Sequence, residues 1–585
     1  METIILGAGI SGLMAAVMLA RSGTSVLMLS YHEAIRSASC MAQGGINAAD
    51  ELEGDSVMSH FTETVSSGGY LADQQPVMDM CRFAPDIVSM YDRIGVAFNR
   101  RDDGSPDTRS FGGSKFKRTH YADTTTGTQL LSALDGQARR YEEQGLIKRI
   151  SGVDFVSLMI DESGCCRGVV VQEIFSMKFM VFWGSAVIIA SGSYSSLYGR
   201  STTAKLSNGA VAGQLLMQGI PVANPEFVQF HPTAMAQGDK PRLVSESARG
   251  EGGRLWAPRG GKPWYFLEEM YPEIGNLVSR DLASRAIYKV IDELGLGVGG
   301  KRQVYLDITQ LPKEVMEQKL SNIIDLYEKF SGEDPGKVPM RVYPAPHYSM
   351  GGIYVDHKHR TELLGLYACG ECDFMYHGAN RLGGNSLLSA TFGGYTAANT
   401  VLEDFNGGSL SDRACSSDSL WIDKTIADRE NEQQRFLNRS GKENAEELYC
   451  ELGELLTESA GIIRKNVVLK AALVKIQELK MRAEIAVCPD RGTWANSSLI
   501  SLRKLQPSIL LAEAILEAAL NRDESRGAHY KPEFPERDDR NFLKTTVARA
   551  QNGKIELGYA LVDTSILPPQ GGSTKEGKKP CLQSI

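Results

Sequence analysis

The feature that most constrains the fold is the hexapeptide GAGISG at residues 7–12, which follows a short apolar strand and opens a helix. Apolar residues recur at helical spacing through residues 10–22, and a second apolar strand occupies residues 24–29. In such a strand–turn–helix unit the glycines let the backbone approach a pyrophosphate, and the helix N-terminus attracts its charge. The sequence therefore predicts a dinucleotide site. The predicted contacts are Gly7, Ala8, Gly9, Gly12 and Ser30, the last standing where an acidic residue usually binds the ribose.

The length of the chain, 585 residues, is too great for one core, so two or more domains are expected. The net charge of −8 argues against nucleic acid as a partner, because phosphate neutralisation requires a basic surface. No apolar run reaches the length of a membrane span, and the longest, residues 179–190, is predicted to be a buried strand. The N-terminus lacks the basic region of a signal peptide, and the 10 cysteines are scattered, so we expect a chain in the reducing cytoplasm.

The CGEC sequence at residues 369–372 has the spacing of half a zinc site, but no second CxxC accompanies it, and no metal site is predicted. It follows a predicted strand over 364–368, and its Gly370-Glu371 pair has another explanation. Together with a strand and small-residue turn over 188–193, it is typical of flavoproteins with a two-dinucleotide-binding fold, in which such turns return to the ribose and pyrophosphate. These turns favour FAD over NAD as the cofactor.

Several longer motifs carry a family resemblance that covers nearly the whole chain. They are AQGGINAA (42–49), QFHPTA (229–234), SESARGEGGRLW (245–256), GKPWYFLEEMYP (261–272), SRDLASR (279–285), HYSMGGI (347–353), HGANRLGGNSLLSA (377–390) and ESRGAHYKPEFPERDD (524–539). With these motifs the sequence resembles the flavoprotein subunits of succinate dehydrogenase and fumarate reductase, in the form found in Gram-positive bacteria such as bacilli.

The resemblance and the changes of composition along the chain imply an α/β fold with five segments. A two-dinucleotide-binding-type FAD domain is predicted to be interrupted by an α+β capping domain and followed by a helical domain and a loop-rich C-terminal segment with a basic tail. The predicted boundaries are 1–231 and 345–417 for the two parts of the FAD domain, 232–344 for the capping domain, 418–522 for the helical domain and 523–585 for the C-terminal segment.

The resemblance also implies the residues of a site for a four-carbon dicarboxylate. Arg280 matches the proton donor and acceptor of the family, and Glu246 matches the carboxylate that relays its proton, with Asp281 as a possible helper. One substrate carboxylate is assigned to Arg381 and His347, and the other to His231 and Ser245. The remaining residues implied in FAD binding are Ser37, Ala38, Gln43, Gly44, Gly45, Glu371, Ser386 and Leu387.

The loop at residues 36–45, which we call the flavin loop, departs from the family pattern. Relatives carry a histidine within Arg-Ser-His-Ser/Thr that links FAD covalently, and this sequence has Ala38 at that position. FAD is therefore predicted to bind without a covalent link, and fumarate reduction is favoured over succinate oxidation because the unlinked flavin is the weaker oxidant. A thioether through Cys40 is the less favoured alternative. A further departure is Ala210, where relatives often have an aspartate that contacts FAD.

Three functions remain open from the sequence. The favoured one is the catalytic flavoprotein of a succinate:quinone oxidoreductase. For this function the resemblance implies two partners, an iron–sulfur subunit and a cytochrome b-type membrane anchor, with quinone reached only through them. It also implies a peripheral location on the cytoplasmic face of the membrane. The second is L-aspartate oxidase, which lacks the covalent link, although the LGGNS turn at 382–386 has the dehydrogenase form. The third is a flavin-binding assembly subunit without activity, which the complete set of site residues disfavours.

Overall fold

The computed structural model describes residues 2–235, 240–410 and 419–569. The first sheet is parallel, with strands in the order Leu366–Ala368, Ala186–Ile189, Glu2–Leu6, Ser25–Ser30 and Ile147–Ser151. The helix Ile10–Arg21 joins its two central N-terminal strands and packs against the helix Asn385–Asn406. The carboxyl ends of these strands meet at one edge, which is where α/β folds place dinucleotides.

An antiparallel sheet carries the other half of the site. Its strands follow the order Arg242–Leu243, Val228–Met235, Met340–Ser349, Val304–Asp307, Arg254–Arg259 and Lys262–Trp264. The helices associated with this region are Ser247–Gly250, Phe266–Met270, Arg280–Tyr288, Lys313–Lys319 and Ser321–Ser331. The strands Val228–Met235 and Met340–Ser349 pair with two register shifts, and irregularities of this kind re-aim side chains near active sites.

Smaller sheets and helices complete the architecture. The further strands are Ile46–Asn47, Thr108–Arg109 and Thr119–His120 in one sheet, Val153–Ile160, Cys166–Glu173 and Phe179–Trp183 in another, and Gly352–Ile353, Val222–Ala223, Lys544–Gln551 and Lys554–Leu561 in a third. The remaining α-helices are Val57–Ser67, Gln74–Arg93, Thr126–Glu143, Ala210–Met217, Ser419–Asn438, Ala445–Ser459, Asn466–Glu484, Ser497–Asn521 and Asp539–Phe542. No helix in the described ranges is both long and apolar enough to cross a membrane.

The structure corrects two of the predicted elements. The apolar run 179–190 is not one strand but two, Phe179–Trp183 and Ala186–Ile189, in different sheets. A Cβ at Gly184 would lie 2.9 Å from the side chain of Ile4, so the chain turns where only glycine fits. The loop-rich C-terminal segment also contains a β-hairpin, Lys544–Gln551 with Lys554–Leu561. Residues 570–585, with the basic tail, lie outside the described residues.

Candidate active site

The dinucleotide turn has no room for side chains at two of its glycines. Gly7 has a φ of 120°, and a Cβ there would lie 2.2 Å from the carbonyl oxygen of Ala190. A Cβ on Gly12 would lie 2.0 Å from the carbonyl oxygen of Gly7, so the helix packs directly on the turn. A Cβ on Gly9 would meet no backbone atom within 4 Å. The turn therefore leaves its backbone open toward a cavity, as a pyrophosphate site requires.

One cavity extends from this turn to the antiparallel sheet. Its wall includes every predicted cofactor-binding residue other than Gly12, which supports the turn from behind. The cofactor-side residues in the wall are Gly7, Ala8, Gly9, Ser30, Ser37, Ala38, Gln43, Gly44, Gly45, Glu371, Ser386 and Leu387. The substrate-side residues are His231, Ser245, Glu246, Arg280, His347 and Arg381. The structure thus brings both predicted sets into one continuous site.

The flavin loop lines this cavity and leaves two buried polar atoms unpaired within the described chain, Oγ of Ser37 and Oε1 of Gln43. Buried polar atoms normally have hydrogen-bond partners, so these two fit a site for a polar ligand. Cys40 is not part of the described cavity wall, and its backbone carbonyl accepts a hydrogen bond of 3.1 Å from Thr128.

The residues that follow the strands Ala186–Ile189 and Leu366–Ala368 form part of the cofactor side of the cavity wall. The carboxylate of Glu371 accepts a hydrogen bond of 3.1 Å from the backbone N–H of Ser349, and burial raises its pKa to about 7. The neighbouring cysteines of the CGEC turn are buried and free, and Sγ of Cys372 donates to the carbonyls of Ile189 and Cys369, each at 3.2 Å. The turn thus ties two parallel strands together, and the described residues hold no group of three or more potential metal ligands.

The predicted acid–base pair forms a buried ion pair. Nε of Arg280 donates to Oε2 of Glu246 at 2.7 Å, and the other carboxylate oxygen of Glu246 accepts from Arg249 at 2.8 Å. Burial alone would raise the pKa of Glu246, but the two guanidinium groups outweigh it and hold the pKa below its ordinary value. Asp281, named above as a possible helper, accepts hydrogen bonds from Ser279, Arg285 and Asn380.

Gln229 connects the two arginines that are predicted to act on the substrate. Its side-chain oxygen accepts from Arg280 at 3.0 Å and from Arg381 at 3.1 Å. Its amide nitrogen donates to the side-chain oxygen of Asn380 and to the backbone carbonyl of Arg381, both at 2.8 Å. Nε of Arg381 is buried without a partner in the described chain, and burial with the charge of Arg280 lowers the pKa of Arg381 to about 9. Gln229 thus holds both guanidinium groups in place, and Nε of Arg381 is left able to donate a hydrogen bond to a ligand.

Two histidines face each other across the same end of the cavity. The rings of His231 and His347 have centroids 5.1 Å apart, and Nδ1 of His347 lies 2.8 Å from the hydroxyl of Thr202. Burial, followed by the charge of Arg280, lowers the pKa of both histidines well below the ordinary range, so both are neutral at pH 7. Nε2 of His231 is buried without a partner, and the Ser245 hydroxyl lines the same wall.

Sequence reasoning missed three residues that support these groups: Gln229, Arg249 and Thr202. Gln229 lies two positions before His231 on the same strand, and the period of two in a strand places both side chains on one face. Arg249 lies one helical turn after Glu246, a spacing at which ion pairs form. Both signals are in motifs quoted above. Nothing in the local sequence distinguishes Thr202, because its partner is distant in the chain.

The residues present fit FAD at one end and a dicarboxylate at the other. The glycine turn, the unpaired polar atoms of the flavin loop and the buried Glu371 suit a large polar cofactor. The other end contains three guanidinium groups, those of Arg249, Arg280 and Arg381, but only one carboxylate, that of Glu246. Since the two histidines are neutral, this end carries excess positive charge. A dianion with two carboxylates would satisfy both the charge and the unpaired donors.

Comparison with known proteins agrees with this geometry. Residues 2–387 match a family model described as an FAD binding domain, and residues 450–574 match one described as the C-terminal region of fumarate reductase flavoproteins. The chain is 45% identical over 571 residues to the succinate dehydrogenase flavoprotein subunit of Bacillus subtilis, covering 97% of each chain. It is 31% identical to the fumarate reductase flavoprotein subunit of Escherichia coli, covering 97% of this chain and 95% of that one.

Solved structures extend the similarity to the whole fold. A chain from a structure described as quinol-fumarate reductase with menaquinol molecules superposes with a TM-score of 0.90 at 31% identity, covering 97% of this chain and 99% of that chain. Sdh1 of Mycobacterium smegmatis in complex with UQ1 superposes with a TM-score of 0.81 at 28% identity, covering 96% and 94%. The predicted fold class and the predicted resemblance are both confirmed.

Proposed function

The chain belongs to the succinate dehydrogenase and fumarate reductase flavoprotein family, and from that premise we propose that it is the FAD-dependent catalytic subunit that interconverts succinate and fumarate. The observation that carries this proposal is the convergence of Arg280, Arg381, His231 and His347 at the end of the cavity that the dinucleotide turn opens. FAD, when bound, supplies the acceptor or donor of the hydride that is exchanged with the substrate carbon.

The side chains of the site hold the substrate by its two carboxylates. Arg381 and His347 bind one, and His231 and Ser245 bind the other, so that the central carbon–carbon bond is fixed between the two clamps. A positioned guanidinium can bind a carboxylate through two hydrogen bonds, and such orientation contributes much of the rate. Neutral imidazoles act here as hydrogen-bond donors, which agrees with the lowered pKa values of both histidines.

Arg280 exchanges the proton at the carbon next to the one that exchanges the hydride. In the direction of fumarate reduction it donates a proton to that carbon and regains one through Glu246, to which its Nε is already bonded at 2.7 Å. Arg249, on the other carboxylate oxygen, continues the chain of proton carriers. The charge of Arg280 and Arg381 also stabilises the negative charge that develops on the substrate.

FAD is bound without a covalent link in this proposal, because Ala38 stands where relatives have the linking histidine and Cys40 is outside the described cavity wall. Lacking the electron-withdrawing link, the flavin is a weaker oxidant than in linked relatives, and the protein works mainly as a fumarate reductase. The electrons are exchanged with an iron–sulfur subunit carried by a cytochrome b-type anchor on the cytoplasmic face of the membrane. Relatives whose names include quinol or menaquinol support this placement in a quinone-linked complex.

The test uses the purified, oxidised yellow protein under anaerobic conditions. It is mixed with succinate and, separately, with L-aspartate, and the flavin absorbance is followed. Bleaching by succinate and not by aspartate is the expected result. Bleaching by aspartate alone would make the protein an L-aspartate oxidase. Bleaching by neither, together with chemically reduced flavin that fumarate does not reoxidise, would support the inactive assembly subunit. Precipitation of the yellow protein with acid should release all of its FAD, since no covalent link holds it.

A further inference from the structure

Arg109 is a buried arginine that pairs with no carboxylate in the described chain. It is 5% exposed, and its Nε donates to the carbonyl of Gly44 at 2.9 Å while a terminal nitrogen donates to the carbonyl of Gln43 at 2.8 Å. Its guanidinium carbon lies 4.4 Å from the ring centroid of Tyr121 and 5.7 Å from that of Phe111. The positive charge is thus surrounded by backbone carbonyls and aromatic rings.

An arrangement of this kind is costly, because a buried charge without a counter-ion loses several kcal/mol of solvation. Burial lowers the pKa of Arg109 to about 10, which still leaves it protonated at pH 7. Arg118, which is also buried, pairs with Asp55 at 2.9 Å. Arg381 likewise lacks a carboxylate, and the proposed substrate supplies one. The carboxylates of Glu251 and Asp123 act on Arg109 only from beyond salt-bridge distance. The guanidinium therefore has no directly paired carboxylate, and its charge is available to a negative charge that forms beside it during the reaction.

The carbonyls that Arg109 holds belong to the substrate end of the cavity. A Cβ on Gly44 would lie 2.9 Å from the ring of Phe111, and a Cβ on Gly383, in the turn after Arg381, would lie 2.9 Å from the same ring. A Cβ on Gly112 would lie 2.4 Å from the carboxylate of Glu246. The turn at residues 43–45 is therefore next to the residues that act on the substrate, where the reacting part of a flavin must lie.

The same turn presents two backbone donors. Gly44 and Gly45 line the cavity, and neither N–H donates to another group of the described residues. Each of these N–H groups shares its peptide with a carbonyl that Arg109 binds, namely those of Gln43 and Gly44. A guanidinium on the carbonyl draws electron density along the peptide, which makes the N–H at its other end a stronger donor.

We propose that Arg109 and the turn at residues 43–45 form an anion-stabilising wall for the reduced flavin, in which the guanidinium charge and the two amide N–H groups offset the negative charge that a transferred hydride adds to the ring. This inference rests on the proposed binding of FAD. The hydride brings two electrons and one proton, so the neutral oxidised ring becomes an anion unless it takes a second proton. The wall partly replaces, by electrostatics, the rise in potential that the missing covalent link provides in relatives.

The alternative is that Arg109 only clasps the turn. The two roles differ in what a neutral substitute does to the redox equilibrium. A clasp affects the binding of oxidised and reduced FAD alike. An anion-stabilising charge affects the reduced form more, and the ratio of the two dissociation constants sets the midpoint potential of the bound flavin, about 30 mV for each factor of ten.

The experiment measures FAD affinity and the two-electron midpoint potential in the wild-type protein and in the variants Arg109→Lys, Arg109→Gln and Arg109→Met. The surface variant Arg139→Gln, which removes one exposed charge, is the matched control. We expect the Gln and Met variants to bind reduced FAD about tenfold more weakly relative to oxidised FAD, which lowers the potential by about 30 mV. The Lys variant should retain most of the wild-type potential, and the control all of it.

Two results would overturn the proposal. In one, the Gln or Met variant binds FAD with the wild-type midpoint potential, or the midpoint potential of the Lys variant falls as far as theirs. In the other, which needs no variant, the potential of wild-type bound FAD lies at or below that of free FAD, so the protein does not prefer the reduced form. A wild-type protein that binds no FAD at all would instead refute the proposed function, so the two failures are distinct.

Discussion

Replacing Gln229 with leucine should separate the two guanidinium groups that the proposed mechanism uses. The side-chain oxygen of Gln229 accepts from Arg280 at 3.0 Å and from Arg381 at 3.1 Å. Hydrogen bonds to charged groups contribute about 1.5–3 kcal/mol each. Losing both acceptor contacts should therefore cost at least about 3 kcal/mol of transition-state stabilisation, since the terminal nitrogens of both arginines lose the acceptor that orients them, although Arg280 keeps its bond to Glu246. At about 1.4 kcal/mol per factor of ten, kcat/KM for fumarate should fall about a hundredfold or more.

The assay follows reduced dye oxidation with fumarate, and the control is Gln218→Leu. Gln218 also makes two hydrogen bonds, both to the backbone of Leu158, at 2.9 and 3.2 Å, but it is not part of the described cavity wall. The control variant should lose stability and keep kcat/KM. If Gln229→Leu retains kcat/KM within threefold of the wild-type value, Gln229 does not position the arginines, and the reasoning from these contacts is wrong.

Three further predictions follow from the cofactor side and from the buried histidines. Ala38→His should produce covalently bound flavin, detected as fluorescence that stays with acid-precipitated protein, and should raise succinate oxidation; covalent flavin with unchanged oxidation would contradict the link between potential and direction. Gly7→Ala should abolish FAD binding, because its Cβ would lie 2.2 Å from a backbone carbonyl oxygen, whereas Gly23→Ala, at an open position with a φ of 83°, should leave the protein yellow. Acid should destabilise the protein: burial and then the charge of Arg118 lower the pKa of His60 to about 3, so the unfolded chain binds more protons below pH 6.5, and stability is lost as pH falls from about 6.5 toward 3. This one histidine should cost about 2 kcal/mol between pH 7 and 5, and a urea midpoint that is constant over that range would contradict the expectation.

The first βαβ unit was predictable because short-range spacing determines it. The helix Ile10–Arg21 and the second strand Ser25–Ser30 lie within one residue of their predicted bounds, 10–22 and 24–29. Residues whose signal was a motif were also found, since Arg280, Arg381, His231 and His347 line the predicted site. The roles of these residues and the predicted domain boundaries stay predictions.

Contacts between distant segments were not predictable from local pattern. Arg109 bonds to Gly44 and Gln43 of the flavin loop, which precede it in the chain by 65 and 66 positions. Its local sequence gives no sign of these contacts, because an arginine between polar residues is most often exposed. The break of the run 179–190 into two strands depends on the packing of Gly184 against Ile4, which periodicity does not report. The C-terminal hairpin is a different case, because its two strands pair locally across Asn552-Gly553, a turn sequence typical of hairpins that the prediction of a loop-rich segment overlooked.

That hairpin has a consequence for how the protein is made. Ala223 pairs with Gly352 on one side and with Val547 on the other, so one short strand is completed by segments from the middle and the end of the chain. The buried ion pair between Glu226 and Arg522 spans a similar distance. At about 5–20 residues per second, the ribosome delivers Val547 on the order of half a minute after Ala223. The region next to the active site therefore cannot close during synthesis, and a chain that stops after the cofactor-binding residues would leave this strand as an unpaired edge.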